Sequence, residues 1–416
     1  MGETKTKSGG LLRFLKPLFA IAILALVAWM LPWEDRLTLV GPGGDELTLV
    51  GDFAEDSDWK LAEVLFQVPV ENLGEAAADA AAPGELVTLR AERDGDARLP
   101  IGDVLLGTEA SWEPGMPTVF GSVEPGGVAL AMVLFMCALL FGITRWWRLL
   151  LLAGCTTTWW NVLRLTYLGL FFNLVMPGLT GGDVAKAVIV VREHPERRGR
   201  ALMSVVVDRL IGLGTLAMLA LVVILISGET FAPVRLPMLI FCVAGVGGAL
   251  LYFNGTLRKL FHFDALLDKL PLGDKLKTLD EAARLYFAHP IELGVAMILS
   301  LGNHASAILA VWALGTAFGV TAAEVSVLDY FALVPVANIV SSVPIAPAGW
   351  GVGEAVYAFL FQMINAPETL GVAISASFRI CQVLLSLLGG LFLLSSGARV
   401  ELDELEAEVA EVEASH

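Results

Sequence analysis

The sequence predicts an all-α polytopic membrane protein with a small β-rich exported domain after its first transmembrane helix and two re-entrant helical hairpins in inverted arrangement. Three observations carry this prediction. The mean hydropathy of the 416-residue chain is +0.72 and only 17% of its residues are charged, whereas soluble domains carry about 25% charged residues. Acidic residues concentrate in two segments of the chain. Two long apolar stretches are interrupted by proline and glycine.

The formal net charge of −16 belongs to two segments that lie outside the apolar body. Residues 34–125 hold 20 acidic and five basic side chains, a net of −15, and the C-terminal residues 397–416 have a net of −6. All other residues together have a net charge of +5, which fits cytoplasmic loops that collect Lys and Arg. The predicted domains are an N-terminal cytoplasmic stub with a membrane anchor helix at 1–33, an acidic exported domain at 34–125, a transmembrane domain at 126–396 and an acidic cytoplasmic tail at 397–416.

The N-terminus is typical of a membrane anchor that remains uncleaved. Basic residues precede an apolar run over 18–31, and no small-x-small cleavage site follows that run. Trp29 and Trp33 are typical of the membrane interface. The basic N-terminus is therefore expected in the cytoplasm.

The acidic segment predicts a small β-rich domain. Apolar and polar residues alternate in Leu37–Val40 and in Leu47–Val50, on either side of a turn cluster at Gly41–Asp45. Leu86–Arg90 is a third predicted strand, and Glu75–Ala82 is either a helix or a linker.

The two interrupted apolar stretches predict hairpins that turn inside the membrane. Basic clusters at 145–148 and 192–200 flank the first stretch, so both of its ends are expected in the cytoplasm. The flanks of the second stretch, 327–366, carry no Lys or Arg, so both of its ends are expected outside. Broken helices that enter from opposite sides and frame a midplane site are known from transporters with inverted repeats. The predicted elbows are Pro177, Gly178, Gly181 and Gly182 in the first hairpin, and Pro344, Pro347, Gly349, Gly351 and Gly353 in the second.

Ionisable residues at membrane depth are candidates for substrate binding, because an uncompensated charge in hydrocarbon is costly. Arg209 lies nine residues past Arg200, about 13 Å along a helix, and Arg379 lies eight residues past Gly371, about 12 Å. Two guanidinium groups near the midplane suit a phosphate that crosses the membrane. The predicted substrate-binding residues are Asp183, Lys186, Asp208, Arg209, Glu354 and Arg379.

Several of these residues also have structural interpretations. Asp183 and Glu354 stand where helices restart, so they either cap those helices or bind the substrate. A structural salt bridge, such as Glu354 with Arg379, is an equal alternative for any single member. Asp208 and Arg209 are adjacent, so at least one of them is expected to reach another helix. His304 is interpreted as a packing histidine.

The sequence predicts no catalytic residue, metal site or cofactor. It contains no nucleotide-binding P-loop, serine elbow or zinc-protease motif. Its four cysteines and five histidines are scattered, without the spacing of a zinc site. No interaction with nucleic acid is expected.

Three ordered segments resemble signature stretches of the lysylphosphatidylglycerol synthase transmembrane region, a flippase-like family: FFNLVMPGLTGGDVAK at 171–186, VDRLIG at 207–212 and SVPIAPAGWGVGE at 342–354. The resemblance covers about 126–396. It implies a multi-pass protein of the bacterial cytoplasmic (inner) membrane that moves a lipid between leaflets. The bifunctional members continue into an aminoacyl transferase domain, and its absence here predicts that this chain does not synthesise lysyl lipid.

The leading hypothesis is thus a translocator of a phosphate-containing lipid, with the lipid substrate and the bilayer as its partners. One alternative is a membrane-embedded transferase that acts on a polyprenyl-phosphate or phospholipid, with Asp183 or Glu354 as the base. Another is a membrane-anchored scaffold for the domain at 34–125. A protein partner of that domain on the exported side and a homo-oligomer both stay open.

Overall fold

The structure is a computed structural model and describes ten segments of the chain: residues 33–41, 45–61, 63–77, 85–99, 104–175, 181–253, 256, 273–321, 325–341 and 352–395. Much of what was predicted for the N-terminal anchor, the acidic tail and the hairpin elbows lies outside them. The elbow residues outside are Pro177, Gly178, Pro344, Pro347, Gly349 and Gly351.

The acidic segment folds into an antiparallel sheet in the order β6-β5-β4-β3-β2-β1-β7. Neighbouring strands pair antiparallel along this order. The strands are β1 (Asp35–Val40), β2 (Glu46–Phe53), β3 (Glu63–Pro69), β4 (Leu86–Glu92), β5 (Ala97–Leu99), β6 (Val104–Gly107) and β7 (Glu109–Glu113).

Alternating apolar residues produce this sheet, as the sequence predicts. Leu37 and Leu39 on β1 are fully buried, and Leu37 lies opposite Leu49 on β2. The predicted turn closes with the N–H of Gly41, which donates to the carbonyl of Asp45 at 2.8 Å. Part of the segment 75–82 is a short 3₁₀-helix, Val70–Ala77.

A buried carboxylate joins this sheet to the first helix, α1 (Met116–Gly121). Asp35 on β1 is only 5% exposed, and it accepts hydrogen bonds from the N–H of Gly115 at 2.5 Å and from the hydroxyl of Thr118 at 2.8 Å. Burial raises the pKa of the Asp35 carboxyl above its ordinary value. The sheet thus holds the start of α1 in place.

In the described segments, ten further α-helices follow α1. They are α2 (Pro125–Leu152), α3 (Trp159–Val175), α4 (Gly181–Glu193), α5 (Arg198–Ile226), α6 (Ala232–Phe253), α7 (Gly273–Phe287), α8 (Pro290–Ala317), α9 (Val327–Ser341), α10 (Val352–Met363) and α11 (Glu368–Ser395).

Within the described segments, five helices are long and apolar enough to cross a membrane: α2, α5, α6, α8 and α11. By contrast, the described parts of α3, α4, α9 and α10 have 12 to 17 residues. Helices of that length extend about 18–26 Å, less than the roughly 30 Å of a hydrocarbon core. The chain is therefore mostly helical, with an N-terminal antiparallel sheet domain.

Helices α2 and α8 form the antiparallel centre of the helical body. Gly127 at the start of α2 lies against Ala317 at the end of α8, where a Cβ on Gly127 would be 2.7 Å from the Cβ of Ala317. Further along, the amide of Asn303 donates to the carbonyl of Ala138 at 2.8 Å. A small residue at a helix contact permits this close approach of the two backbones.

The order of helix lengths repeats around this pair. Helices α2 to α5 have 28, 17, 13 and 29 residues, and α8 to α11 have 28, 15, 12 and 28. The packing repeats as well, because α3 of the first set packs on α11 of the second while α9 packs on α5. Apart from α6 and α7, the described body thus contains two sets of four helices with a similar order of lengths, and a short helix of each set packs on the last long helix of the other set.

We predict that Asp35→Ala loosens the junction between the sheet and α1. The substitution leaves two donors without their acceptor, and an unsatisfied buried polar group costs about 1–3 kcal/mol. Hydrogen exchange of the full chain should be faster in β1, β7 and α1. Glu113→Ala is the matched control, because Glu113 is exposed at the end of β7. Equal protection in both variants would contradict this role of Asp35.

Candidate functional site

Five charged side chains from α2, α4 and α5 come together within the helical body, and we call them the polar cluster. Its members are Arg145, Asp183, Lys186, Asp208 and Arg209. Four of them are among the predicted substrate-binding residues.

Asp183 lies in the first turn of α4 and joins α4 to α5. One of its carboxylate oxygens forms an ion pair with the guanidinium of Arg209. Its other oxygen is 3.8 Å from the ammonium of Lys186, one turn further along α4. The side chain of Arg209 is 59% exposed, whereas that of Asp183 is 16% exposed. The cluster is therefore accessible at Arg209.

Arg145 was not among the predicted substrate-binding residues. The sequence predicts it as part of a basic cluster at the inner surface, and in the structure it lies on α2, which continues to Leu152, and is buried against other helices. Its guanidinium donates to Asp208 at 2.7 Å and to the hydroxyl of Ser300 on α8 at 2.8 Å. Only Arg148 retains a partly exposed ion pair, with Glu292.

The adjacent residues Asp208 and Arg209 both reach other helices, which extends the prediction that at least one would do so. Asp208 binds Arg145 on α2, and Arg209 binds Asp183 on α4. Residues one position apart on a helix point about 100° apart, so two adjacent residues of α5 contact two different helices.

Lys186 is fixed by apolar and aromatic contacts. Its ammonium lies 5.3 Å from the centre of the Trp146 ring, a cation–π distance, and the Trp146 indole N–H donates to the hydroxyl of Ser204 at 3.2 Å. The stem of Lys186 crosses Gly169 on α3, where a Cβ would be 2.6 Å from the Lys186 Cε. Gly169 thus makes room for the lysine.

The start of α4 is capped by a residue that sequence reasoning did not single out for this role. The N–H of Gly182 donates to the side-chain oxygen of Asn173 on α3 at 2.6 Å. A Cβ on Gly182 would clash with the carbonyl of Gly169, so α3 and α4 touch through two glycines. Gly181, a predicted elbow, is the first residue of α4.

The remaining candidates, Glu354 and Arg379, form a second ion pair. Glu354 in the first turn of α10 accepts from the Arg379 guanidinium at 2.6 Å and from the hydroxyl of Ser375 at 3.2 Å. Both charged side chains are buried, at 5% and 10% exposure. Gly353 lies directly against the guanidinium, which leaves no room for a Cβ. This pair was one of the structural alternatives for the two residues.

The two ion pairs occupy equivalent positions in the two sets of helices. Each has its acid in the first turn of the second short helix and its arginine on the long helix that follows. The sequence separations are 26 residues for Asp183 and Arg209 and 25 for Glu354 and Arg379. The two pairs differ in access, because only Arg209 is open.

His304 on α8 agrees with its interpretation as a packing histidine. Its Nε2 lies 2.9 Å from the carbonyl of Gly212 on α5. A Cβ on Gly212 would approach the Arg145 guanidinium at 3.3 Å. The histidine and the glycine therefore bring α5 close to α8 beside the polar cluster.

We predict that Asp208→Ala strongly destabilises the protein because it leaves Arg145 buried without its carboxylate. Breaking a buried pair costs about 3–5 kcal/mol, whereas a surface pair contributes about 0–1 kcal/mol. Thermal unfolding in detergent should show a much larger loss than Glu292→Ala, which breaks the partly exposed pair with Arg148. The double variant Arg145→Met/Asp208→Leu should recover most of the loss. Equal melting temperatures for the two single variants would contradict this assignment.

Comparison with known proteins places the helical body in a family. The family model described as the lysylphosphatidylglycerol synthase TM region matches residues 115–390. No solved structure matches the chain.

Two curated relatives are UPF0104 membrane proteins from archaea. The one from Methanocaldococcus jannaschii is 22% identical over 281 residues, which is 64% of this chain and 82% of the relative. The one from Pyrococcus horikoshii is 23% identical over 294 residues, 65% of this chain and 87% of the relative. With its five apolar helices of membrane-spanning length, the chain is a multi-pass integral membrane protein that belongs to the lysylphosphatidylglycerol synthase transmembrane region family.

Proposed function

We propose that this protein moves a phosphate-containing lipid between the two leaflets of the membrane. The observation that carries the proposal is the charge of the polar cluster. Its three cations, Arg145, Lys186 and Arg209, face two carboxylates, Asp183 and Asp208, which leaves one excess positive charge. A phosphodiester carries one negative charge and completes this balance.

The donors of the polar cluster are arranged in a way that suits a phosphate group. The exposed guanidinium of Arg209 presents several N–H donors in a plane, the arrangement that binds phosphate oxygens in a bidentate manner. Lys186 adds a point charge one helix away and is held in place by the Trp146 ring. Arg145 is buried and bound to Asp208 and Ser300, so we assign it the role of positioning α5.

Two re-entrant hairpins form the path in this proposal. The described parts of α3, α4, α9 and α10 are each shorter than the hydrocarbon core, which favours this arrangement. Both ends of the first pair then lie on the side where α2 ends, and both ends of the second lie on the side where α8 ends. Because α2 packs antiparallel on α8, these sides would be opposite faces of the membrane. Each hairpin would then bring an acid inward, next to an arginine on the long helix that follows.

Binding and release follow from the two acid–arginine pairs. The lipid phosphate competes with Asp183 for the guanidinium of Arg209, so the carboxylate limits how tightly the headgroup is held. In the other set of helices, Glu354 forms a buried ion pair with Arg379. As the lipid moves to the other face of the membrane, the Glu354–Arg379 pair would become accessible and the Asp183–Arg209 pair would become buried.

The proposed orientation places the sheet domain outside and both termini in the cytoplasm of a cell with a bacterial-type inner membrane. The Lys60 ammonium lies 3.4 Å from the carbonyl of Ser122 and against Gly319. The sheet therefore sits where α8 ends, the side of the second hairpin. Its −15 charge over 34–125 favours solubility outside the membrane.

The transferase alternative receives less support from the same contacts. A general base requires a carboxylate free to accept a proton. Asp183 is paired with Arg209, and Glu354 is buried against Arg379 and Ser375. Both carboxylates are thus already engaged by protein partners.

We predict that Arg209→Gln and Lys186→Gln each slow lipid exchange about tenfold or more. Each removes one cation from the phosphate site, and a hydrogen bond to a charged group contributes about 1.5–3 kcal/mol. The measurement is dithionite quenching of fluorescent phosphatidylglycerol in vesicles that contain the full chain.

The control for this test is Arg235→Gln, which makes the same change in charge at the far end of α5 and α6. It should exchange lipid at the wild-type rate. Asp183→Asn should also be slow, because a site with two excess cations releases the phosphate poorly. Wild-type rates in both Arg209→Gln and Lys186→Gln would refute the phosphate site.

The hairpin topology has a separate test. In a background without the four native cysteines, Leu179→Cys should react with an impermeant maleimide only from the cytoplasmic side, and Trp350→Cys only from the other side. Both positions lie in the predicted elbows, outside the described residues. Reaction of Leu179→Cys only from outside would refute the inward-opening first hairpin.

A further inference from the structure

An apolar cavity of about 660 Å³ opens beside the polar cluster, between α5, α6, α7 and α8. We call it the lateral groove. Its volume lies within the range of ligand pockets, about 300–1,000 Å³. The polar cluster and the acid–arginine pairs do not account for it.

We propose that the lateral groove binds one hydrocarbon chain of the phospholipid whose phosphate is held at Arg209. This inference rests on the proposed function and adds to it the part of the substrate that is apolar. It also assigns a role to α6, a helix that contributes nothing to the polar cluster.

The edge of the groove lies beside the exposed arginine on α5. Val206 and Leu213 both line it, and they stand three residues before and four residues after Arg209 on α5. Positions at these spacings are neighbours on one side of a helix. A lipid with its phosphate at Arg209 therefore has the edge of the groove beside its glycerol.

The length of the groove fits a chain rather than a headgroup. Its lining on α5 runs from Met203 to Met218, about 22 Å along the helix and most of the hydrocarbon thickness. The polar groups in the lining are engaged, because the Thr215 hydroxyl donates to Ile211 at 2.7 Å and the Tyr252 hydroxyl donates to Asp280 at 2.5 Å. An apolar ligand is what such a lining accepts.

Glycine keeps the groove open. A Cβ on Gly214, Gly245 or Gly248 would meet no atom within 4 Å, so these glycines do not serve close helix packing. Helix α6 packs mainly on α5 and is the least buried of the five long helices. The groove is thus bounded by a helix with little other contact, a position that permits entry from the bilayer.

The test is photolabelling of the full chain in nanodiscs with phosphatidylglycerol that carries a diazirine in one acyl chain. In the wild type, labelled peptides should be enriched several-fold in 203–218 and 241–252 over the exposed apolar face of α11 at 380–391. That face reports contact with bulk lipid in the same sample.

Gly245→Leu/Gly248→Leu fills the groove and should lower its labelling at least fivefold, with labelling of α11 unchanged. Gly247→Leu is the matched control. It lies on the same helix with equally open space at its Cβ, but it does not line the groove. This control should label like the wild type, and monodisperse elution of all three proteins checks their folding.

Equal labelling of the groove and α11 in the wild type would overturn the proposal even if the filled variant failed to fold. Crosslinks from the groove to residues 18–31 would overturn it as well, because the chain's own apolar segment would then be the occupant.

The lipid-exchange assay separates the proposed groove from the proposed translocation. Loss of labelling in the filled variant without any lipid exchange in the wild type supports the groove and refutes translocation. Exchange that needs Arg209 but ignores the filled groove refutes only the groove.

Discussion

The helical body is organised by the cost of a charge in hydrocarbon. Ionisable side chains on helices of membrane-spanning composition must be paired, or else face water or a ligand. Arg145 meets this requirement with Asp208 and Ser300, which tie α2, α5 and α8 together. Arg379 meets it with Glu354. In the polar cluster the cations exceed the carboxylates by one, and the proposed function assigns this excess charge to the binding of an anion.

Close backbone contact makes these charge pairs geometrically possible. Gly182 lets α4 touch α3, which brings Asp183 within reach of Arg209, and Gly353 lets the Arg379 guanidinium lie against α10. In the lateral groove the same residue type acts differently, since Gly245 and Gly248 have empty space where a Cβ would stand. Glycine in this chain therefore has two roles, which only the surroundings of each residue distinguish.

Sequence patterns predicted the features that depend on local order along the chain. The alternation around Gly41–Asp45 predicted the pairing of β1 with β2, and the adjacency of Asp208 and Arg209 predicted that at least one of them reaches another helix. Arg145 was not predicted as a member of the polar cluster, because its burial depends on helices far away in sequence. Asn173 as a helix cap and the lateral groove likewise arise from packing between helices, which no local pattern encodes.

The two acid–arginine pairs differ in access, and in the proposed function this difference assigns a role to the internal repeat. Two sets of helices with the same order of lengths have a buried pair in one set and an accessible pair in the other. Because α3 packs on α11 and α9 packs on α5, a shift of one short helix moves against the long helix of the other set. In the proposed function, this packing would link the opening of one pair to the closing of the other, as a carrier that faces one leaflet at a time requires. The asymmetry between the pairs would then belong to one state, and the second state would exchange the roles of Arg209 and Arg379.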